Sequence, residues 1–277
     1  MTPRTVVLTG ASDGIGAAAA RALVTAGHQV VLVGRSPVKT AAVAAELGAD
    51  HLLADYTRLD EVQALAATLR ERYPHIDVLA NNAGGIMGAR ETTVDGFEAT
   101  LQVNHLAPFL LTHLLLDTLV ASRATVIATS SAGARLFGQI DLADLQLERG
   151  WSSNHAYGNG KLANILFTRE LHRRFGGQGV AAVAFHPGVV ATNFAAETGG
   201  VMRAMYHTPL RRLLTTPAAG ASTLEWLVEG RPGTDWQPGQ FYTKRAVART
   251  HAQADDPELA RELWDRSEQL VGVSRRP

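Results

Sequence analysis

Short β-branched apolar runs alternate along this chain with longer segments in which Ala and Leu recur at helical spacing. Thr5-Val6-Val7-Leu8, Val30-Val31-Leu32-Val33, His51-Leu52-Leu53-Ala54 and Ile76-Asp77-Val78-Leu79 read as strands. So do Thr125-Val126-Ile127-Ala128, Val180-Ala181-Ala182-Val183-Ala184-Phe185 and a weaker Gln240-Phe241-Tyr242. Most are continuous apolar runs, the pattern of strands covered on both faces. Residues 16–26, 38–47 and 59–72 read as intervening helices, the last with a capping box predicted at Thr57-x-x-Asp60. Such alternation predicts an α/β fold, a Rossmann-type doubly wound sheet of about seven mostly parallel strands with helices on both faces.

No Pro/Gly/Ser-rich linker, internal repeat or low-complexity segment divides the 277 residues, so one domain spanning 1–277 is expected. Residues 197–214 interrupt the strand–helix rhythm. They set Met202, Met205, Tyr206, Leu210, Leu213 and Leu214 among Arg203, Arg211 and Arg212. Two readings stand: an amphipathic helix packed on the body, or a lid whose Met202, Met205 and Tyr206 line a greasy substrate pocket.

Composition narrows the function classes. Lys+Arg 26 against Asp+Glu 26 gives a formal net charge of zero, which argues against nucleic acid as a partner. With Cys 0, disulfides, thiolate metal sites and Cys nucleophiles are excluded. The ten His residues are scattered and form no His-Glu-x-x-His pattern, so no metal site is expected. The start, Met1-Thr2-Pro3-Arg4, runs straight into the first strand, and no apolar stretch of roughly 18 residues occurs. A cytoplasmic protein with no membrane span is the expectation.

Thr9-Gly10-Ala11-Ser12-Asp13-Gly14-Ile15-Gly16 lies between the first strand and the first helix. Glycines 10, 14 and 16 let the backbone turn tightly and approach a pyrophosphate, and the helix start offers free N–H donors. The spacing alone supports a nucleotide site. An NAD site usually places a carboxylate about 20 residues beyond the glycines, for the ribose 2′-hydroxyl. Here the second strand ends in Gly34-Arg35-Ser36. Arg35 offers a forked cation and Ser36 a hydroxyl for a 2′-phosphate, so NADP (NADPH) is favoured and NAD is the alternative. Arg35 could instead stack on adenine with either cofactor.

Tyr157 and Lys161 are four residues apart and so share a helix face. An ammonium about 4 Å from a phenol, at an effective dielectric of about 20, favours the phenolate by about 4 kcal/mol. That corresponds to roughly 3 pKa units, enough to bring a tyrosine near neutral operating pH. Ser130 and Ser131 close the fifth strand, where successive side chains point to opposite faces, so one of them can serve a substrate.

These motifs resemble the short-chain dehydrogenase/reductase family in its short form. Besides the glycine turn, the resemblance rests on Asp55, Asn81-Asn82-Ala83-Gly84, Asn104, Ser130-Ser131, Tyr157-x-x-x-Lys161 and Pro187-Gly188-x-x-x-Thr192, all in family order. Val103-Asn104-His105-Leu106, Asp144-Leu145-Gln146, 161–168 and His186-Pro187-Gly188-Val189-Val190 are most similar to the retinol-dehydrogenase-like branch. That branch often carries an N-terminal anchor, which is not seen before the first strand here.

The resemblance implies a catalytic set of Asn104, Ser131, Tyr157 and Lys161. Tyr157 is the proton donor and Ser131 holds the carbonyl oxygen, while Ser130 would bond to its own backbone. Lys161 also binds the nicotinamide ribose. Asn104 closes a proton relay through water, unless its amide serves only to bond helix backbone. Cofactor contacts are implied for Gly10, Ser12, Asp13, Gly14, Ile15, Gly16, Arg35 and Ser36. Asp55 and Tyr56 follow on the adenine side, then Asn82, Ala83 and Gly84, and finally Pro187, Gly188, Val190 and Thr192. Asp13 departs from the pattern, since NADP-using relatives often carry a basic residue there. The implied protein is a homodimer or homotetramer that transfers hydride between NADP and a lipophilic carbonyl or alcohol. A catalytically silent NADP(H)-binding redox sensor acting through a protein partner is the rival reading.

Overall fold

The computed structural model describes residues 2–188 and 216–273. Strands β1 (Thr5–Thr9), β2 (Gln29–Gly34), β3 (His51–Leu53), β4 (Val78–Asn81), β5 (Thr125–Thr129), β6 (Ala181–His186), β7 (Phe241–Thr243) and β8 (Ala246–Val247) form one sheet. Their order is β3-β2-β1-β4-β5-β6-β7-β8. All neighbours are parallel except β7 and β8. The direction of winding reverses between β1 and β4. That is where a doubly wound sheet opens a crevice at its carboxyl edge.

Burial on both faces explains why the strands read as unbroken apolar runs. In β1, Val7 faces one core while Val6 and Leu8 face the other. Helices α1 (Gly14–Thr25), α2 (Pro37–Leu47) and α6 (Pro217–Glu229) cover the Val6 and Leu8 side. Helices α3 (Leu59–Arg72), α4 (Ala107–Leu114), α5 (Ser153–Phe175) and α7 (Pro257–Val271) cover the Val7 side. There Trp264 of α7 stacks on Phe167 of α5, with centroids 5.7 Å apart, and meets Phe109 of α4 edge-on at 5.0 Å. Leu162, Ile165, Leu166 and Phe167 of α5 are buried within this core of the chain itself. No helix among the described residues is long and apolar enough to cross a membrane.

Three local expectations are corrected. The fourth strand begins at Val78, two residues later than its apolar run, and extends to Asn81. Asn81 can enter the buried sheet because its amide donates to Thr112 Oγ1 at 2.9 Å. The sheet also has an eighth strand, exposed, reached by a turn in which Lys244 and Arg245 have φ of 51° and 64°. Such hairpin turns normally announce themselves with Asn or Gly, and this one does not. Finally, α3 starts at Leu59 as expected but without the Thr57–Asp60 capping box. Its Leu59 N–H donates to Asp95 at 2.9 Å, while the Thr57 hydroxyl donates to Asp55 Oδ1 at 2.8 Å.

Candidate active site

Each signalled segment emerges at the carboxyl edge of the sheet. The glycine turn follows β1, Arg35 follows β2, Asp55 follows β3, and Asn82-Ala83-Gly84 follow β4. Ser130-Ser131 follow β5, and Pro187-Gly188 follow β6. The Thr9 side chain clamps the middle of this edge. Its hydroxyl donates to Ala80 O and accepts from Asn82 N and Ala83 N, both at 3.0 Å. Asn82 replies through its amide, donating to Thr9 O at 3.0 Å and accepting from the Thr129 hydroxyl at 3.2 Å.

The turn itself needs its glycines. Gly10 and Gly14 have φ of 66° and 53°, where side chains are rarely tolerated. Gly16 has a different reason: a Cβ there would lie 2.1 Å from Gly10 O. Asp13 caps α1 by accepting from Gly14 N at 2.7 Å. The N–H groups of Ile15 and Gly16 belong to the first turn, which has no earlier carbonyls to use. This bare backbone cradle fits a pyrophosphate. Replacing Gly16 with Ala should force the turn open, at about 1–3 kcal/mol of overpacking. The expected result is a cofactor affinity reduced at least about tenfold with far-UV circular dichroism unchanged; titration of cofactor fluorescence checks it.

On the adenosine side, Arg35 is exposed and Ser12 lies against Gly34. Ser36 acts as the N-cap of α2, accepting from Lys39 N at 3.4 Å, so its hydroxyl is shared with the helix. The Asp55 carboxylate accepts from the amide and hydroxyl of Thr57, at 2.9 and 2.8 Å, and shapes the loop. The Tyr56 ring is turned inward. It packs in the core, where burial pushes its phenol above the ordinary range.

The four candidate catalytic residues come together from three elements. Tyr157 and Lys161 lie on α5, with Lys161 Nζ 5.6 Å from the centre of the tyrosine ring. Ser131 lies beyond β5, where its Oγ accepts from Gly133 N at 3.1 Å. A Cβ on Gly133 would stand 3.0 Å from the Tyr157 ring and 3.5 Å from Ser131 Oγ, so these two side chains flank that glycine. Asn104 lies in a π-helical turn, Gln102–Leu106, a widened form that recurs at functional sites. Gln102 anchors this turn by donating to Tyr56 O at 3.1 Å and to Asp95 at 2.8 Å.

Asn104 is buried and does more than bond its own helix. Its amide donates to Thr100 O at 2.9 Å and Gly85 O at 2.8 Å, and its oxygen accepts from Gly85 N at 3.2 Å. A Cβ on Gly84 would meet Asn104 Oδ1 at 2.6 Å and Lys161 Nζ at 2.8 Å, so both tips converge on that glycine. Lys161 is 2% exposed, and its Nζ donates to Thr129 O at 3.1 Å. Burial lowers its ammonium to about 7, so in this form it titrates near neutrality. Ser130 differs from its expected role: its hydroxyl donates to Lys161 O at 2.6 Å, tying β5 to the helix that carries the tyrosine.

Pro187 and Gly188, the latter with φ of 92°, leave the sheet beside this group. His186 before them is partly buried, which lowers its imidazole below the ordinary range. Val190, Thr192, Met202, Met205, Tyr206 and the whole 197–214 segment lie outside the described residues. Sequence reasoning missed Lys39. Its ammonium reaches Asp13 Oδ2 at 3.0 Å across the mouth of the adenosine side, and its place one turn beyond Arg35 was the available signal.

Comparison with known proteins agrees with this geometry. Residues 4–200 match the family model described as short chain dehydrogenase. A Streptomyces sp. (strain C5) protein provisionally named daunorubicin C-13 ketoreductase is 42% identical, over 99% of this chain and 94% of its own length. Human retinol dehydrogenase 11 is 37% identical, over 98% and 86%. Among solved structures, a Beutenbergia cavernae protein provisionally named NAD(P)-dependent gluconate 5-dehydrogenase, with NADP bound at low occupancy, superposes with a TM-score of 0.65. It is 28% identical, with 82% of this chain and 90% of that one covered. A glycine cradle at the switch point, a buried lysine beside a tyrosine and a match over most of the chain lead to one conclusion: the protein belongs to the short-chain dehydrogenase/reductase family of NAD(P)-dependent oxidoreductases, which act on small molecules.

Proposed function

We propose that this protein is an NADP-dependent carbonyl reductase or alcohol dehydrogenase for a lipophilic ketone, aldehyde or retinoid-like alcohol. One observation carries the reading, the convergence of Ser131, Tyr157, Lys161 and Asn104 about Gly133 and Gly84. When bound, the nicotinamide cofactor would supply the hydride for a carbonyl carbon, or would take it up in the reverse direction. Tyr157 gives its phenolic proton to the carbonyl oxygen, and Ser131 donates a hydrogen bond to the same oxygen as charge develops on it. The Lys161 ammonium stabilises the phenolate that remains and holds the ribose hydroxyls. Asn104 orients the water route by which the proton is restored.

The lipophilic substrate is supported by Leu136 and Phe137, 63% and 45% exposed in the short helix just after Ser131. Retinol and ketoreductase activities in the names of the relatives point the same way. Keeping a lysine 2% exposed is costly and makes sense for proton chemistry; a silent redox sensor would not need it. In this reading residues 1–277 act as one cytoplasmic domain that pairs into a homodimer or homotetramer. Met202, Met205 and Tyr206 of the 197–214 segment, which lies outside the described residues, are proposed as substrate-pocket residues. Asp55 meets the adenine, Asn82, Ala83 and Gly84 line the adenosine ribose, and Val190 and Thr192 join Pro187 and Gly188 at the nicotinamide.

For the cofactor, NADP is supported by the exposed Arg35 at the end of β2. Arg35→Ala should weaken NADPH binding about tenfold or more, the size of a charge-assisted hydrogen-bond pair. NADH binding should stay within about twofold. Fluorescence titration of both cofactors, with a screen of lipophilic ketones and aldehydes, tests the proposal. Equal weakening of both cofactors would mean that Arg35 stacks on adenine instead.

A further inference from the structure

We infer that Lys39 is a second recognition group for the cofactor's 2′-phosphate, and that Asp13 acts as its counter-charge and tunes the preference for NADPH over NADH. This rests on the NADP reading above and adds to it a residue and a control.

Three segments meet at one place. The glycine turn brings Ser12 and Asp13, and the end of β2 brings Gly34 and Arg35. The first turn of α2 brings Ser36 and Lys39. They are in contact. A Cβ on Gly34 would lie 3.1 Å from Ser12 Cβ, Ser36 accepts from Lys39 N, and Lys39 Nζ pairs with Asp13 Oδ2 at 3.0 Å. A carboxylate stands in the glycine turn, and a cation is delivered to it from α2. Arg35 and Lys39 therefore offer a forked and a point charge to one dianion.

The carboxylate has the opposite effect. Asp13 uses one oxygen to cap α1 through Gly14 N, at 2.7 Å, and the other to hold Lys39. A 2′-phosphate must compete with Asp13 for the ammonium and bear its negative charge nearby. NADH meets neither demand. Asp13 and Lys39 are 51% and 57% exposed, so salt screens the pair and the coupling should be modest.

Affinities of NADPH and NADH for the full chain test this at low and high salt, in wild type, Lys39→Met, Asp13→Asn and the double variant. Asn keeps the capping oxygen and removes only the charge. Lys39→Met should weaken NADPH about tenfold and leave NADH within about twofold. Asp13→Asn should tighten NADPH about threefold, a gain that misfolding cannot produce, and most of that gain should vanish in the double variant. Both effects should shrink at high salt. If Lys39→Met leaves NADPH unchanged or weakens both cofactors alike while Arg35→Ala still discriminates, Lys39 is only the partner of Asp13. The inference then fails and the NADP reading survives. If wild type binds both cofactors equally and Arg35→Ala changes nothing, the NADP reading and the inference fall together.

Discussion

Tyr157→Phe should lower turnover by about 10²–10⁴-fold, the usual contribution of a positioned general acid. The ring that flanks Gly133 is kept, so Ser131 and the short helix after it should stay in place. Only the hydroxyl is lost. NADPH and NADH affinities should therefore remain within about twofold of wild type. Steady-state rates, beside cofactor titration, measure both. Full turnover in the variant would remove Tyr157 from the chemistry.

Lys161→Met should separate activity from stability. Turnover should fall at least about hundredfold, as expected when a preorganised charge is removed. The folded protein should nevertheless become harder to unfold. Burial lowers Lys161 from 10.5 to about 7. In the folded state it therefore gives up its proton more readily than in the unfolded chain. Below pH 7 the lysine is charged in both states, and the folded state bears the full desolvation cost, up to about 5 kcal/mol. Between pH 7 and 10.5 the unfolded chain holds more protons, so wild-type stability from this group rises with pH until the cost disappears. The gain from Met should thus be largest at pH 6 to 7 and fade toward pH 10. The Thr129 carbonyl keeps a donor in either case, from Asn164 at 3.2 Å. Urea unfolding of both proteins without cofactor, at pH 6.5 and pH 9.5, checks the sign. Equal stability at both pH values would mean that Lys161 is not held in a low-dielectric site.

The candidate site was legible where its chemistry depends on local spacing. Tyr157 and Lys161 share a face because four residues make about one helical turn. Gly10, Gly14 and Gly16 lie together because a strand, a tight turn and a helix follow one another without interruption. Partnerships between distant segments were not legible. Asn104 and Lys161 converge on Gly84, Ser130 bonds to Lys161 O, and Lys39 reaches Asp13, and none of these pairings has a period or a motif. Tyr56 shows the same limit in reverse. Its place beside Asp55 gave no sign that its ring packs in the core.

Helix ends followed the same division. The Ser36 and Ser152 hydroxyl oxygens cap α2 and α5 by accepting from the nearby backbone N–H groups of Lys39 and His155, as residues of their type do. The start of α3 was found correctly, but its cap comes from Asp95, far along the chain, and displaces the local Thr57–Asp60 alternative. A long-range carboxylate can win because local capping bonds are worth only about 1 kcal/mol.

By itself, then, the sequence determined the parallel doubly wound sheet, the place of the glycine turn and the pairing of Tyr157 with Lys161. Each follows from how a few neighbouring residues bury apolar surface or fill one helical turn. Tertiary structure alone decided that Lys161 is buried against Thr129 O and that burial lowers its ammonium to about 7. It also decided that Asn104 meets Lys161 across Gly84 and that Asp13 faces a lysine from another helix. These depend on burial and on the approach of distant segments, and both arise only when the sheet closes under its helices.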